Sequence, residues 1–192
     1  MSLGFRYHAD INEQIRALEL IKRKLRASIV IKVCKTLRIQ DLRHLYYTIH
    51  HQKPAPGQLP GIQAITTNRE SYRYVAVFVS IYRNASRFNI RTEMDVEALM
   101  FAWDYFCLTF PGHIRERRPY GNIRPANFDE AWAIAESIQA GLIELAYCHR
   151  CHHNFLINYY SHLQPICQLC AIKKRPGPKP KPKTEQTINQ VV

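Results

Sequence analysis

The sequence predicts a mainly α-helical fold that ends in a small module built on four cysteines and a disordered basic tail. Apolar residues recur at helical spacing through most of residues 11–146. Four of the six cysteines then form two C-x-x-C pairs, Cys148 with Cys151 and Cys167 with Cys170. Alternating prolines and lysines, "KKRPGPKPKPK", follow the second pair.

Changes in composition divide the chain into five regions. These are a basic helix-turn-helix-like region, a proline-rich elbow, a helical core, a zinc-ribbon-like module of four cysteines and a Pro/Lys-rich tail: residues 1–52, 53–68, 69–146, 147–172 and 173–192. The sequence contains no run of about eighteen apolar residues and no apolar signal segment, so we expect no membrane association. We therefore expect a cytoplasmic, nucleoid-associated protein whose thiols stay reduced.

The charge balance of the chain is strongly basic. The formal net charge is +12 over 192 residues. A field of this sign favours nucleic acid, an acidic partner or an anionic membrane surface. About half of the net charge comes from six cationic side chains of the tail, which are candidate DNA contacts: Lys173, Lys174, Arg175, Lys179, Lys181 and Lys183.

The segment "HADINEQIRALELIKRKLRASI" predicts one long amphipathic helix. Asp10 and Glu13 have the spacing of a capping box, and Ile11, Leu18 and Leu25 form a heptad-like apolar stripe. The cations between them form a basic outer face: Arg16, Lys22, Arg23, Lys24 and Arg26. This face is either simply solvated or in contact with phosphate.

Residues 27–52 predict two shorter helices with a break between Thr36 and Gln40. Two helices joined by a tight turn are typical of a helix-turn-helix, whose second helix reads DNA. Five polar side chains suit contacts with bases or phosphates: Arg38, Gln40, Arg43, His44 and Tyr47. Packing or contact with a partner protein explains the same pattern.

Three more helices are predicted after the elbow, each with an apolar inner face. Thr92 paired with Asp95 is the candidate cap of the second helix, and Asn127 paired with Glu130 is that of the third. The third helix is predicted to extend to Tyr147. The inner faces are Val75, Phe78, Val79 and Tyr82; Leu99, Trp103, Phe106 and Phe110; and Trp132, Ala135, Ile138 and Leu142. Between the last two helices lies a basic loop, whose arginines either bind phosphate or are solvated: Arg115, Arg117, Arg118 and Arg124.

The two cysteine pairs, fifteen residues apart, predict one structural zinc ion per chain. Each pair presents two thiolates, and four thiolates satisfy Zn²⁺ in a closed tetrahedron with no open position. An iron–sulfur cluster uses the same ligand type, and spacing does not exclude it. The β-prone residues Phe155, Ile157 and Tyr159 predict a ribbon or hairpin between the pairs. The nearby His149, His152, His153 and His162 are interpreted as exposed side chains, or as contacts with the metal ligands or with phosphate, rather than as ligands.

The tail after residue 173 cannot form regular structure, because proline fixes φ and removes hydrogen-bond donors. Its alternating prolines favour an extended polyproline conformation. A basic arm of this kind either lies along DNA phosphates or only keeps the protein in solution.

The order of these features resembles the FlhC family, the C subunits of the flagellar master transcriptional activator. The resemblance rests on "LRHLYYTIHHQKPAPGQLP", "AWAIAESIQAGLIELAYCHRC" and "CQLC". It implies a DNA-binding activator that assembles with an FlhD-like D subunit and recruits RNA polymerase, and it implies that Cys148, Cys151, Cys167 and Cys170 bind zinc. Flagellar members have glycines after the second cysteine, where this chain has His152 and His153, and related activators on conjugative elements switch on transfer genes.

The sequence therefore favours a transcriptional activator that binds double-stranded promoter DNA of flagellar or conjugative-transfer genes. The alternative is a zinc-ribbon protein that binds RNA or DNA without sequence specificity. An enzyme is not expected, because the acidic residues lie mostly at helix starts and no nucleophile motif or phosphate-binding loop is present.

Overall fold

Eight helices and one two-stranded antiparallel sheet form the described part of the computed structural model, residues 11–54, 56–111, 123–161 and 166–173. In chain order the elements are α1 (Ile11–Lys22), α2 (Ala27–Val33), α3 (Ile39–His50), α4 (Ile62–Ile65), α5 (Arg69–Ala85), α6 (Val96–Thr109), α7 (Phe128–Gln139), β1 (Ile143–Tyr147), β2 (Asn154–Asn158) and α8 (Gln168–Lys173). The predicted mainly helical class is confirmed, whereas the helix-turn-helix identity of α2 and α3 stays a prediction. Among these helices, none combines the length and the apolar character needed to cross a bilayer.

The long helix predicted at the amino end is shorter than expected, since α1 ends at Lys22 and α2 and α3 are the two shorter helices predicted for residues 27–52. Lys24 has a left-handed backbone with φ of 65°, and its N–H donates to the Ile21 carbonyl at 2.7 Å. The N–H of Leu25 donates to the Leu20 carbonyl at 3.1 Å. These two hydrogen bonds form a Schellman ending, which stops α1. Leu25 is fully buried and anchors this turn rather than extending a stripe along one helix.

Glu13 joins the first turn of α1 to the segment between α2 and α3. Its carboxylate accepts the backbone N–H of Thr36 at 3.1 Å and also the Thr36 hydroxyl. Asp10, the predicted partner of Glu13 in a capping box, lies outside the described residues.

The two predicted caps of the central helices have different outcomes. Asn127 caps α7 as predicted, since its side chain accepts the N–H of Glu130 at 2.9 Å. At α6 the predicted pairing was wrong, because Asp95 itself is the cap. The Thr92 hydroxyl donates to the Asn89 carbonyl at 3.0 Å, in a turn that precedes the helix.

The core lies between α5, α6 and α7, with α1, α2 and the sheet packed around it. The predicted inner face of α5 is confirmed, because Val75, Phe78, Val79 and Tyr82 are all buried. Phe78 meets Phe106 of α6 edge to face at 5.7 Å between ring centroids. The whole of α7 is nearly buried, and it lies against α6, α4 and β1.

The last predicted helix was too long, because α7 ends at Gln139 and residues 143–147 form β1. Gly141, with φ of 69°, supplies the left-handed residue that turns the chain out of the helix. β1 then pairs with β2 in antiparallel register, from Ile143 opposite Asn158 to Tyr147 opposite Asn154. Sheet pairing with residues further along the chain therefore overrides the helical pattern of "GLIELAY".

The hairpin is attached to the helices by its buried side chains. Ile143 and Leu156 belong to the common apolar core. The buried Asn158 amide donates to the Thr66 hydroxyl at 3.0 Å, next to α4. These contacts fix the hairpin, and therefore the first cysteine pair, relative to the helical core.

Candidate metal centre and basic surface

The first cysteine pair lies in the turn of the β1–β2 hairpin. The N–H of Cys148 donates to the His153 carbonyl at 3.0 Å, which continues the ladder one step beyond the strands. The Cys148 carbonyl accepts the N–H of His152 at 2.8 Å and closes the turn around Cys151. The hairpin therefore encloses the first pair, whereas we predicted a hairpin between the pairs, where only β2 lies.

The second cysteine pair lies at the start of α8. Cys167 immediately precedes the helix, and its carbonyl accepts the N–H of Ala171 at 2.9 Å. Cys170 follows in the first turn, so both thiols belong to one short helical segment. A helix of six residues is not stable alone, and α8 packs against α5 and β2. The core thus holds the second pair beside the first.

The four sulfur atoms lie together. All four Sγ atoms are within 4.8 Å of one another, with 3.8 Å between Cys148 and Cys170 and 3.5 Å between Cys151 and Cys167. A tetrahedron with metal–sulfur bonds of about 2.3 Å has sulfur–sulfur edges of about 3.8 Å. A disulfide would require about 2.05 Å, and all four thiols are free. The spacing therefore suits a shared metal ion.

Backbone N–H groups favour the ionised form of the first thiol. The N–H groups of Cys151 and Arg150 donate to the Cys148 sulfur and lower its pKa to about 6. Cys167 receives the same pair of bonds in the second C-x-x-C segment, from Cys170 and Leu169, although burial outweighs them and raises its pKa. Each C-x-x-C segment thus folds its own N–H groups around its first sulfur.

The remaining thiols show why a cation suits this cluster. Burial, followed by hydrogen bonds from the other three thiols, raises the pKa of Cys170 to about 12. Four thiolates this close repel each other, and a divalent cation at their centre removes that cost and selects the ionised form. The residues therefore fit a metal of the thiolate-binding class. The closed set leaves no position for a reactive water, so the centre can organise structure but cannot activate a nucleophile.

The neighbouring histidines contact protein groups rather than joining the sulfur cluster. The Nδ1 atom of His152 lies 2.8 Å from the Tyr147 hydroxyl, and Nδ1 of His153 donates to the Cys151 carbonyl at 2.5 Å. The His149 ring meets Tyr147 edge to face at 5.5 Å. His162 lies outside the described residues. In the described part of the chain, the candidate metal ligands are therefore the four predicted cysteines.

The five candidate DNA contacts of the amino-terminal region lie on one exposed surface of α3 and its start. All five side chains are exposed: Arg38, Gln40, Arg43, His44 and Tyr47. The Arg38 guanidinium donates to Asp41 at 3.1 Å. In the tail, Lys173 is the last residue of α8, and the other five candidates lie outside the described residues: Lys174, Arg175, Lys179, Lys181 and Lys183.

Three arginines of the basic outer face predicted at residues 16–26 form ion pairs with other helices. Arg16 pairs with Glu97 at 2.7 Å, and Arg23 pairs with Asp104 at 2.5 Å, both on α6. Arg26 is buried and pairs with Asp129 of α7 at 2.7 Å. Their carboxylate partners lie 81 and 103 residues away in the chain, so no local pattern indicated the pairing. Phosphate contact is therefore wrong for the buried Arg26, whereas for Arg16 and Arg23, whose ion pairs lie at the surface, it stays a prediction.

The basic loop before α7 contributes one described arginine. Arg124 pairs with Glu130 at 2.8 Å, so it fixes the start of α7 and is not free for phosphate. Arg115, Arg117 and Arg118 lie outside the described residues.

Two features of the centre were not predicted. The N–H groups of Arg150 and Cys151 were overlooked, although a C-x-x-C turn always carries them. His152 adopts a left-handed backbone with φ of 59°, and the signal for it was the glycine that flagellar family members have after the second cysteine.

The chain is similar to known transcriptional regulators over nearly its whole length. A sequence model of the family described as "Flagellar transcriptional activator (FlhC)" matches residues 7–183. The flagellar transcriptional regulator FlhC of Nitrosomonas eutropha is 23% identical over 163 residues, which cover 84% of this chain and 80% of that protein. The protein of the same name from Verminephrobacter eiseniae is 27% identical over 164 residues, which cover 84% of this chain and 83% of that protein.

Proposed function

Because the chain belongs to the FlhC family of flagellar transcriptional activators, we propose that it is the DNA-binding subunit of a hetero-oligomeric activator. The family match across residues 7–183 carries this proposal. A net charge of +12 supports a polyanionic partner. In this proposal the chain binds double-stranded promoter DNA, associates with an FlhD-like D subunit and recruits RNA polymerase.

The DNA contacts are assigned to the exposed side chains of α3 and to the cations of the tail. Arg43 and His44 have no ion-pair partner among the described residues, and together with Gln40 they are free to reach bases or phosphates. Arg43→Ala should weaken promoter binding by about one to three kcal/mol if the guanidinium contacts a base, and selectivity should fall with it.

The four cysteines are assigned to one structural Zn²⁺ per chain. The ion would hold the hairpin turn against α8, and the DNA surface formed by the carboxyl-terminal third would depend on it. Cys151→Ser should abolish metal binding and promoter binding together. Cys107→Ala is the matched control, because Cys107 lies on α6 outside the cluster. Elemental analysis of the purified proteins should give about one zinc per chain for the wild type and the control. A metal-free Cys151→Ser protein with full promoter affinity would contradict the assignment.

The binding site for the D-type subunit is assigned to the exposed apolar face of α6. Phe101, Tyr105 and Leu108 follow one another at helical spacing, and Leu108 is 77% exposed. Exposed apolar rows of this kind mark protein contacts. Leu108→Asp should break the complex with the D subunit, whereas Leu108→Met should preserve it, as measured by size-exclusion chromatography of the co-expressed pair.

The target promoters belong to flagellar genes or to conjugative-transfer genes, and different observations support each class. Both curated relatives are named as flagellar regulators. His152 and His153, which replace family glycines, and the proline–lysine tail instead favour an activator of conjugative transfer. Sequencing of the genomic DNA that the purified complex retains decides between the two classes of promoter.

The deciding experiment measures promoter affinity of the co-expressed complex against unrelated duplex and single-stranded RNA. An activator should bind its promoter at least about 1,000-fold more tightly than unrelated duplex. If about six phosphates are neutralised, affinity should fall by about three orders of magnitude between 50 and 200 mM salt. A specificity ratio near one would instead support an unspecific zinc-ribbon nucleic-acid binder.

We propose no catalytic role. Several buried carboxylates already have structural partners: Asp95 caps α6, Asp129 binds Arg26, and Glu130 binds Arg124. No reaction with a DNA substrate should therefore be observed when the complex is incubated with its promoter and Mg²⁺.

A further inference from the structure

A cleft of about 600 Å³ runs between α5 and the cysteine hairpin. Its floor along α5 includes Arg73, Val77, Ser80 and Asn84, which recur at helical spacing. The distance from Arg73 to Asn84 is eleven residues, or about 16 Å of helix. The opposite wall is formed by the hairpin turn and β2, including His152 and Asn154. No described residue of α1 to α3 lines this cleft, so it is separate from the surface assigned above.

The polar lining of the cleft is cationic or neutral. None of its described lining residues is acidic. Three other clefts in the described part of the protein each contain carboxylates: Asp95 and Glu97; Glu144; and Glu13, Glu19 and Glu97. Arg73 is exposed and has no carboxylate partner among the described residues, in contrast to the arginines of α1. This cleft therefore suits an anion.

The cleft contains side chains that can donate hydrogen bonds to a ligand. The Tyr147 hydroxyl lies 2.8 Å from Nδ1 of His152. When Tyr147 donates to that nitrogen, the imidazole proton lies on Nε2, which can donate to a ligand. The exposed amides of Asn84 and Asn154 supply further neutral donors.

The rest of the lining is apolar and aromatic. Tyr74 and Phe110 meet edge to face at 5.1 Å, and Phe155 of β2 lies on the other side. Donors along an apolar wall match a sugar–phosphate strand, whose anionic oxygens alternate with apolar sugar faces. Measured along the axis of a duplex, a length of about 16 Å spans about four or five base pairs, at about 3.4 Å each.

The chain that leaves this cleft is also basic in sequence. Phe110 lines the cleft and Pro111 precedes the segment "GHIRERRPYGN", while Leu169 lines it and Lys173 precedes the tail. Both segments carry net positive charge. The segments that follow these two cleft residues in the sequence are therefore cationic.

We infer that this cleft binds the phosphate backbone of one strand of the promoter duplex. The inference rests on the proposed function and adds a second contact surface, which includes Arg73, Asn84 and His152 and lies beside the candidate metal centre. Backbone contacts position a protein on DNA but do not read its sequence. The cleft therefore contributes affinity, and base reading belongs elsewhere on the protein.

The test measures binding of the complex of the full-length chain and its D-type subunit to promoter duplex and to unrelated duplex, across a salt series. Arg73→Ala should lower affinity for both duplexes by the same factor, about 3- to 10-fold, and reduce the salt slope by about 0.9. Asn84→Asp, which keeps the side-chain size and adds a negative charge, should lower both affinities as well. Arg83→Ala is the matched control: it lies on the same helix, is exposed, does not line the cleft and should change neither.

Several results would overturn the inference. Wild-type affinity and slope in both Arg73→Ala and Asn84→Asp would remove the cleft from the DNA-binding surface, while the proposed function stands. Loss of polyglutamate binding in these variants, with promoter binding intact, would assign the cleft to an acidic protein instead. If the wild-type complex binds no DNA, the proposed function is wrong and the inference fails with it.

Discussion

His152 shows how one residue shapes the turn of the first cysteine pair. Its φ of 59° lies in the left-handed region, where a side chain is normally disfavoured. Histidine is among the residues that tolerate this region best, and the bond between its Nδ1 and the Tyr147 hydroxyl holds the ring. The backbone of the C-x-x-C turn, rather than a role for the imidazole as a ligand, explains the requirement at this position.

Substitutions at position 152 should rank by their tolerance of positive φ. His152→Gly should leave the unfolding free energy unchanged within about 1 kcal/mol, because relief of strain offsets the lost hydrogen bond and the greater freedom of the unfolded chain. His152→Val should be less stable than His152→Gly by about 1–3 kcal/mol. Urea denaturation of the three metal-loaded proteins measures this order. Equal stability of the Gly and Val variants would show that the turn adapts freely.

The two remaining cysteines lie apart from the cluster, with Cys34 fully buried and Cys107 half-buried. Burial raises the pKa of Cys34 to about 11 and that of Cys107 to about 12. Both thiols are therefore protonated at neutral pH and react slowly. Because ionisation of Cys34 favours the unfolded chain, stability should fall as pH rises from about 9 towards 11.

Thiol labelling at pH 8 should separate the cysteines into two classes. With metal bound, iodoacetamide should label none of the six rapidly. After chelation, the four clustered thiols should react, because they lose the ion that blocks them. Cys34 and Cys107 should react only in denaturant. Mass spectrometry of digested samples assigns the sites, and rapid labelling of Cys107 in the folded protein would contradict its raised pKa.

At the scale of secondary structure, ion pairs rather than apolar contacts alone join the amino-terminal helices to the core. Arg16 and Arg23 lie seven residues apart on or just after α1, and Glu97 and Asp104 lie seven residues apart on α6. This matched spacing sets the two helices side by side in one register. Exposed pairs of this kind contribute little stability each, so they specify register more than they add free energy.

Arg26 is the buried member of this set, and it joins three segments. Its guanidinium binds Asp129 of α7 and also donates to the Gly57 carbonyl in the proline-rich elbow at 2.7 Å. The side chains of Arg26 and Asp129 are only 10% and 12% exposed. Removing one partner would leave a buried charge without compensation.

Asp129→Asn should therefore destabilise the protein by about 3–5 kcal/mol. The matched control is Asp41→Asn, because Asp41 pairs with Arg38 on the surface and should cost less than about 1 kcal/mol. Guanidinium denaturation of both variants gives the comparison. Similar losses in the two would show that the buried pair has no special role.

At the scale of the whole molecule, the helical core and the candidate metal centre depend on each other unequally. The core contains the hairpin residues Ile143 and Leu156, so β1 and β2 have apolar support without an ion. α8 has only six residues. It begins directly after one candidate ligand, Cys167, and contains another, Cys170. Metal loss should therefore release α8 before it affects α5 to α7.

Hydrogen exchange after chelation should reveal this order. Amides of α8 and of the turn 148–153 should lose protection, whereas amides of α5, α6 and α7 should stay close to their metal-loaded values, because their bonds lie within the apolar core. Mass spectrometry of the complex with and without chelator measures both regions. Loss of protection across α5 to α7 would mean that the ion supports the entire fold.

Much of the fold was predictable because its signals are local. The 3.6-residue spacing located the inner faces of α5 and α6, and Asn127 marked the start of α7, since periodicity and capping depend on residues within a turn or two. The prediction was wrong for β1, because the helical pattern around Leu145 was overridden by pairing with β2.

By itself, the sequence determined the helical class, the central apolar faces and the four cysteines of the candidate centre, because each of these features depends on the spacing of residues close together in the chain. Only the tertiary structure decided where the charges go. It paired Arg16, Arg23 and Arg26 with carboxylates 81 and 103 residues away, and it left Arg73 beside the hairpin with no carboxylate partner among the described residues. Partner choice between distant charges depends on how the helices pack, and no short pattern in the chain records that.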